Sequence, residues 1–318
     1  MIERVATVWV DGSLKPWDEA TVHTLTHTLH YGFGAFEGIR AYAQPDGRTA
    51  LFRLSDHVDR LYRSTAASSI EIPFAPEAIS EACIAVVTSN QLRDAYIRPL
   101  VFVGDPNIIF AYWLNRVRVA VAAFAWSGYS DRSRELGTSA KISPYVRPKA
   151  HADLFKAKLC GHYVLSILAY GDAARSGFKQ AIFLDEDGVV CESTGENLFL
   201  VRGRQLWTPP ASRSILIGIT RLSVMEIATE MGYEVLEREF GVEDLRVADE
   251  VFTTGTASEL LPVCSIENHH IGTGRLGPVT RAIQDRFTDA VNGRLPGYRR
   301  WLTPVALPSA LATSPVTT

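Results

Sequence analysis

Two lysines, Lys156 and Lys158, lie among apolar residues in the segment LFKAKLCGHY, residues 154–163. A lysine amine can form a covalent bond with a carbonyl compound when its surroundings disfavour the charged ammonium form. The other interpretation is a partly buried strand whose lysine head groups reach solvent along their aliphatic stems. Only the residues elsewhere in the chain can distinguish a reactive amine from a solvated one.

A second set of residues with regular spacing lies in ESTGENLFLVRGRQLWTPPASRSILIGITR, residues 192–221. The spaced residues are Glu192, Asn197-Leu198-Phe199, Leu206-x-Thr208 and Leu216-x-Gly218-Ile219-x-Arg221. This series resembles the signature of the class IV pyridoxal-phosphate (PLP) aminotransferases. Five further segments agree with it: HYGFGAFEGIRAY (30–42), HVDRL (57–61), AYIRPLVFVGD (95–105), AK..GHY (157–163) and EVFTTGTASELLPV (250–263). From about residue 7 to about residue 302, the chain is similar to the branched-chain amino acid aminotransferases.

The resemblance implies an α+β protein of PLP fold type IV, in which two α/β domains hold the cofactor between them. In this family the lysine that forms a Schiff base with the cofactor lies five residues before a tyrosine and 34 before a glutamate. Lys158 has this spacing to Tyr163 and Glu192, whereas Lys156 does not. The resemblance therefore implies that Lys158 is the catalytic lysine. The apolar residues around it fit this role because they disfavour the charged ammonium.

The resemblance also implies how the cofactor is bound. Glu192 is expected to face the pyridine nitrogen and keep it protonated, so that the ring accepts electrons from the substrate. Tyr163 is expected to donate a hydrogen bond to the phenolic oxygen of the ring. The phosphate is expected to bind Arg60, a bidentate donor, and the amides at a helix N-terminus. The residues assigned to the cofactor are Arg60, Lys158, Tyr163, Glu192, Leu216, Gly218, Ile219, Thr220 and Thr256.

An aminotransferase must accept two unlike side chains in one pocket, that of its amino acid and that of the acidic acceptor, usually 2-oxoglutarate. The resemblance assigns the α-carboxylate to Tyr96 and the Thr256–Ala257 backbone, and the distal carboxylate of glutamate to Arg98. Phe36 and Tyr163 are expected to form apolar walls. In this assignment Tyr31 and Tyr129 assist Arg98, and the role of Arg40 is to order the pocket. The full set of substrate residues is Tyr31, Phe36, Arg40, Tyr96, Arg98, Tyr129 and Ala257.

The resemblance implies an L-amino acid:2-oxoglutarate aminotransferase for branched or other apolar side chains. Residues 106–115 and 146–162 depart from the family pattern, so the exact amino donor stays open. The alternatives are a D-amino acid or (R)-amine aminotransferase and a fold type IV lyase such as aminodeoxychorismate lyase. A noncatalytic PLP-binding protein is a weaker alternative, because the whole catalytic set is present. The family further implies at least a homodimer, with each site completed by the partner subunit.

The elements that must position these residues mix strands and helices without regular βαβ alternation, which favours an α+β fold. The local patterns predict one hairpin at Asp11-Gly12 and a second over DEDG (185–188). They also predict a helix N-cap at Ser55 and a strand over KISPYVR (141–147). The predicted division is a small N-terminal domain (1–126), a polar linker (127–137), a large PLP-binding domain (138–302) and a disordered tail (303–318).

The composition is that of a soluble globular protein, with 47% hydrophobic and 21% charged residues. A net charge of −3 gives no reason to expect nucleic acid or a membrane surface as a partner. The longest apolar stretches are too short and too alternating to span a bilayer. The N-terminus MIER lacks the features of a signal peptide, and the four cysteines lie far apart, so a reducing cytoplasm is the expected location.

Two motifs are interpreted as structural. GTGRLG (272–277) matches a dinucleotide fingerprint, but Pro278 follows at once and no acidic residue stands about 20 residues downstream. A turn into the last helix is the better interpretation. His23, His27 and His30 have metal-like spacing without a carboxylate cluster to complete a site, so no metal is predicted.

Overall fold

The computed structural model describes residues 3–104, 107–128, 131–150 and 152–307, which form two β-sheets with helices packed on them. The strands of the first sheet are β1 (Thr7–Val10), β2 (Ser13–Pro16), β3 (Gly34–Phe36), β4 (Ile39–Ala43), β5 (Thr49–Phe52), β6 (Ala95–Val103), β7 (Val117–Ala125) and β17 (Leu302–Val305). Those of the second are β8 (Thr138–Ile142), β9 (Gln180–Leu184), β10 (Val190–Ser193), β11 (Asn197–Arg202), β12 (Gln205–Thr208), β13 (Glu234–Glu237), β14 (Glu250–Gly255), β15 (Glu259–Ile266) and β16 (His269–His270). The helices are α1 (His27–Tyr31), α2 (Leu54–Ala66), α3 (Pro76–Ser89), α4 (Asp131–Leu136), α5 (Ala152–Phe155), α6 (Tyr163–Arg175), α7 (Ile219–Glu230), α8 (Val242–Arg246) and α9 (Pro278–Val291).

The first sheet has the strand order β17-β5-β4-β6-β7-β1-β2, with β3 also paired to β6, and its pairs are antiparallel. Helices α2 and α3 cover one face, because their apolar residues recur every three or four positions and pack on the strands. Leu54, Val58 and Leu61 of α2 are buried in this way. The hairpin predicted at Asp11-Gly12 is confirmed, since β1 and β2 pair across it.

The second sheet has the order β10-β9-β8-β15-β14-β11-β12-β13, with β16 paired to β15. It mixes antiparallel pairs with parallel ones, such as β8 with β9 and β12 with β13. The predicted hairpin over residues 185–188 is confirmed by the antiparallel pairing of β9 and β10. A shared core joins the two sheets: Tyr42 and Phe52 of the first sheet belong to one buried cluster with Phe199, Phe252 and residues of α7 and α9.

Two predictions about local structure are wrong. Ser55 is not an N-cap: Arg53 adopts a left-handed conformation, with φ of 51°, so α2 begins at Leu54 and contains Ser55. The strand predicted over residues 141–147 is shifted, because β8 runs from Thr138 to Ile142 and ends before Pro144, which has no N–H to donate. Of the later residues, Arg147 makes only an isolated bridge to Asp185.

The domain boundaries also need correction at the C-terminus. Residues 303–305 are not disordered: β17 pairs antiparallel with β5, and Val305 is buried in the core of the first sheet. Burial of the apolar Val305 favours this strand, although the neighbouring residues are rich in Pro and Thr, a composition typical of disordered tails. Residues 308–318 lie outside the described part of the chain. The segment predicted as a linker contains the helix α4, and its role as the boundary between two domains stays a prediction.

The motif GTGRLG lies where its structural interpretation places it, before the last helix. GTGRLG ends at Gly277, which directly precedes α9, and the carboxylate of Glu250 accepts hydrogen bonds from the N–H groups of Val279 and Thr280 in the first turn. A side chain therefore takes the place that a ligand phosphate would need. Among the described residues, no group of three or more His, Cys, Asp or Glu side chains is arranged for a metal ion. No helix in this part of the chain is long and apolar enough to cross a membrane.

Candidate active site

A cleft of about 590 Å³ brings together all nine residues that the sequence assigned to the cofactor. They come from both halves of the chain: Arg60 lies on α2, Tyr163 begins α6, Glu192 lies on β10, and residues 216–220 lead into α7. Residues more than 100 positions apart therefore meet at one place. The individual roles of these residues stay predictions.

Lys158 is held at the edge of the first sheet by its own backbone. Its N–H donates to Ser64 Oγ at 2.9 Å, and its carbonyl accepts from the N–H of Phe36 at 3.1 Å. The side chain is half-buried, and Nζ lies 2.7 Å from the hydroxyl of Tyr163. Lys156 instead pairs with Asp153 and does not line this cleft. The two lysines therefore have different surroundings, because Lys158 lines the cleft and Lys156 does not.

Glu192 is a buried carboxylate whose two oxygens are both engaged. Oε1 lies 3.0 Å from a guanidinium nitrogen of Arg147, and Oε2 accepts from the backbone N–H of Leu216 at 2.9 Å and from Asn197 Nδ2 at 3.3 Å. Burial raises the pKa of the Glu192 carboxyl, and the Arg147 guanidinium opposes this shift. This end of the cleft suits a cationic partner, such as a protonated ring nitrogen.

The other end of the cleft suits an anion. The first amides of α7, beginning at Ile219, have no acceptor within the helix, and Gly218 at the N-cap provides no capping side chain. Gly218 is required here because a Cβ on it would meet Asn197 Oδ1 at 2.0 Å. Arg60 brings its guanidinium to the same cleft from α2. A helix N-terminus and an arginine together form a typical phosphate site.

A second cleft, of about 570 Å³, adjoins the first and shares Lys158, Tyr163 and Thr256 with it. Phe36, Tyr96, Arg98 and Ala257 also line it. Arg98 donates to the hydroxyl of Tyr96 at 3.2 Å, and its guanidinium carbon lies 4.5 Å from the centre of the Phe36 ring. Arg98 Nε is buried and has no hydrogen-bond partner among the described residues. The cleft therefore combines an apolar wall with a cationic side chain.

The structure places two predicted substrate residues elsewhere. Arg40 lines neither cleft: it is buried, and its guanidinium contacts Glu259 at 3.4 Å and the carbonyl of Trp126 at 3.3 Å. In this structure Arg40 therefore lines neither cleft, and its role in ordering the pocket stays a prediction. Tyr31 is 43% exposed, and its hydroxyl donates to the carbonyl of Ile108. Tyr129 lies outside the described residues.

Sequence reasoning missed several side chains that support the site. Arg147 pairs with Glu192, and Glu37 holds Arg60 through two hydrogen bonds. His57 also contacts Glu37 and lies three residues before Arg60 on α2. That spacing, which puts two side chains on one helical face, was the one available signal. No local pattern in the sequence connects Arg147 with Glu192.

Comparisons with known proteins show which family the chain resembles. The family model "Amino-transferase class IV" matches residues 34–266. The branched-chain-amino-acid aminotransferase of Pseudomonas aeruginosa is 39% identical over 304 residues, which span 95% of this chain and 98% of that protein.

Solved structures are similar over nearly the whole chain. The branched-chain aminotransferase of the archaeon Thermoproteus uzoniensis, solved with norvaline, has a TM-score of 0.89 at 37% identity and covers 95% of this chain and 100% of its own. The PLP-form of the enzyme from Thermobaculum terrenum has a TM-score of 0.90 at 34% identity, with coverages of 96% and 100%. The predicted α+β architecture of fold type IV is thereby confirmed. Because sequence and structure agree over almost the full length of these relatives, this chain belongs to the class IV aminotransferases.

Proposed function

We propose that the enzyme binds pyridoxal 5'-phosphate in the first cleft and transfers an amino group between an L-amino acid with a branched or other apolar side chain and 2-oxoglutarate. The observation that carries the proposal is the convergence of a lysine amine, a buried carboxylate and an anion-binding helix terminus on one cleft. The similar enzymes of Pseudomonas aeruginosa and Thermobaculum terrenum are branched-chain amino acid aminotransferases, and the latter was solved in its PLP-form. Both facts support the proposal.

The side chains of the first cleft fit this cofactor. Arg60 and the start of α7 suit a phosphate, and Glu192 suits a protonated pyridine nitrogen. Thr254 Oγ1, which is buried and without a partner among the described residues, lines the same cleft and offers a further hydroxyl. A polar atom left unpaired inside a protein costs free energy, so a ligand that pairs it is favoured.

When bound, pyridoxal phosphate supplies an electron-accepting ring that stabilises negative charge at the substrate Cα. Lys158 Nζ would hold the cofactor covalently, and as a free amine it would move the proton at Cα. The hydroxyl of Tyr163, 2.7 Å from Nζ, orients this amine. The Glu192 carboxylate would stabilise a positive charge on the ring nitrogen. Arg147 holds this carboxylate in place.

The second cleft is proposed to bind the substrate. Phe36 and the Tyr163 ring, whose centroids lie 4.8 Å apart, form an apolar wall for a branched side chain. Arg98 offers a charged donor for the distal carboxylate of 2-oxoglutarate or glutamate. Tyr96 and the backbone at residues 256–257 are the proposed contacts of the α-carboxylate. Lys158 lines both clefts and can therefore reach the substrate Cα.

A panel of amino donors with 2-oxoglutarate tests the proposed function. We expect glutamate to form with leucine, isoleucine and valine, because the wall of the second cleft is apolar and one cation can receive the acceptor's carboxylate. The panel includes D-amino acids, (R)-amines and larger apolar L-amino acids, each measured with and without added pyridoxal phosphate. Glutamate formation from the D-amino acids or (R)-amines alone would support the alternative transaminase class and reject the proposal.

The two half-reactions of the Arg98→Met variant should respond differently. Removing a charge-assisted contact to a desolvated carboxylate costs roughly 2–5 kcal/mol, whereas an apolar substrate loses little. We expect half-reactions with glutamate or 2-oxoglutarate to slow strongly and those with leucine to slow far less. Single-turnover absorbance of the bound cofactor measures each one separately. Equal slowing of both would assign Arg98 to the α-carboxylate that all substrates share, or to a structural role.

We further propose that the enzyme is at least a homodimer. Four large apolar residues of α6 are exposed in the single chain: Val164, Ile167, Leu168 and Tyr170. Phe110 is 83% exposed and its ring lies 5.3 Å from that of the exposed Tyr31, and Trp113 is 70% exposed. A surface of this kind marks a protein interface, and its occupant is proposed to be a second copy of the chain. Tyr31 would then lie in a dimer contact.

A further inference from the structure

A buried ion-pair network holds Arg60, which lines the first cleft. Arg60 donates from Nε to Glu37 Oε1 at 2.7 Å and from Nη2 to Glu37 Oε2 at 2.8 Å. His57 Nδ1 lies 2.8 Å from Glu37 Oε2, and the N–H of Gly38 donates to the same oxygen at 3.2 Å. Glu37 is 0% exposed. Its carboxylate is therefore fully desolvated and surrounded by donors.

The charge states of this network follow from its geometry. Burial alone raises the pKa of Glu37, but the Arg60 guanidinium and the hydrogen bonds from Arg60 and His57 outweigh burial and hold that pKa well below its usual range. Burial lowers the pKa of His57, although its hydrogen bond with Glu37 opposes this. Because an ionised carboxylate only accepts hydrogen bonds, the hydrogen on the His57 ring lies on Nδ1.

Arg60 keeps free donors after these contacts. A guanidinium has five N–H groups. Two of them serve Glu37, and a third serves the carbonyl of Ile217 from Nη1 at 3.0 Å. One N–H on each terminal nitrogen therefore remains for a ligand in the cleft. Glu37 takes the edge formed by Nε and one N–H of Nη2, so the free donors of Arg60 are on its two terminal nitrogens.

The position of Glu37 in the chain connects the two clefts. Its neighbours Phe36 and Gly38 line the second cleft, while its partner Arg60 lines the first. The backbone N–H of Glu37 donates to the carbonyl of Pro99 in β6 at 2.8 Å, which fixes this turn to the sheet. A buried ion pair adds little to stability compared with an apolar pair of similar size. Stability alone is thus a poor explanation for a fully buried carboxylate at this point.

We propose that Glu37, supported by His57, is a positioning residue that orients the Arg60 guanidinium for the phosphate group of the cofactor. The proposal rests on the proposed function, because it assumes that the phosphate lies against Arg60. It assigns no chemical step to Glu37 or His57. Its consequence is selective: loss of Glu37 weakens recognition of the phosphate and leaves contacts to the rest of the cofactor intact.

The test compares the affinity of the cofactor-free enzyme for pyridoxal phosphate with its affinity for pyridoxal, which lacks the phosphate. We expect Glu37→Gln to weaken binding of pyridoxal phosphate on the order of 10–100-fold, the equivalent of one charge-assisted hydrogen bond. The affinity for pyridoxal should change far less. His57→Gln should act in the same direction but more weakly, because it keeps the pair between Glu37 and Arg60.

Asp59→Asn is the matched control, because Asp59 lies on the exposed face of α2, directly before Arg60. It removes one carboxylate close to Arg60 in the sequence and should change neither affinity. Circular dichroism and thermal unfolding check that each variant is folded, and His57→Gln carries the test if Glu37→Gln does not fold. Equal weakening for pyridoxal phosphate and pyridoxal, or no weakening for either, overturns the proposal. A wild-type enzyme that does not prefer pyridoxal phosphate to pyridoxal overturns the proposed function as well.

Discussion

Lys158→Ala is expected to abolish covalent attachment of the cofactor and to lower turnover by at least about 10²–10⁴-fold, the usual contribution of a positioned acid–base group. The reason is that Lys158 offers the amine in the first cleft, 2.7 Å from Tyr163 and shared with the second cleft. Borohydride reduction of the wild-type enzyme, followed by peptide mass mapping, locates the attachment. The label should lie on Lys158.

Lys156→Ala is the control for this prediction. Lys156 lies two residues away and carries the same charge, but it pairs with Asp153 and lines a different surface depression. The variant should keep most of its activity and all of its label. A label on Lys156, or an active Lys158→Ala variant that still carries the cofactor covalently, would reject the assignment. Cofactor absorbance measured alongside the mass map separates loss of attachment from loss of binding.

The resemblance in sequence was sufficient to predict which residues line the first cleft, because the family signature is a local pattern. Gly218, Ile219 and Thr220 are contiguous, and they begin α7 as expected. Glu192 and Asn197 lie on β10 and β11, on either side of a short turn. Their separation of five residues in the sequence is therefore enough to predict that they contact each other. Residues that act through local backbone geometry can be predicted from such a pattern.

Contacts between distant segments could not be predicted in this way. Arg147 meets Glu192 because residues 143–147 run beside β9 after β8 has ended, which depends on how the second sheet is assembled. Arg40 was assigned to the substrate pocket, and its buried contact with Glu259, 219 residues away in the sequence, could not be predicted from a local pattern. The pairing of Val305 in β17 with the first sheet likewise depends on a partner strand far away in the sequence. In each case a distant partner decides the outcome.

Glu192→Gln is expected to lower kcat about 10²- to 10⁴-fold, because it removes the carboxylate proposed to stabilise the protonated ring nitrogen. Breaking a buried charge pair by removing one partner costs on the order of 3–5 kcal/mol, and 1.36 kcal/mol corresponds to tenfold in rate. The glutamine amide keeps the size of the side chain but cannot stabilise a cation as a carboxylate does. Steady-state kcat with saturating substrates and cofactor measures the effect, and an unchanged kcat would mean that Glu192 does not face the cofactor.

The structure adds a complication to this variant, because Glu192 also pairs with the buried guanidinium of Arg147. Glu192→Gln leaves that cation without its partner, and a lower kcat could then come from a distorted site. The double variant Glu192→Gln/Arg147→Met removes the unpaired charge and distinguishes the two causes. If Glu192 acts on the ring nitrogen, the double variant should regain stability in thermal unfolding but not kcat. Recovery of both would assign the loss to the unpaired Arg147 and reject a direct role for Glu192.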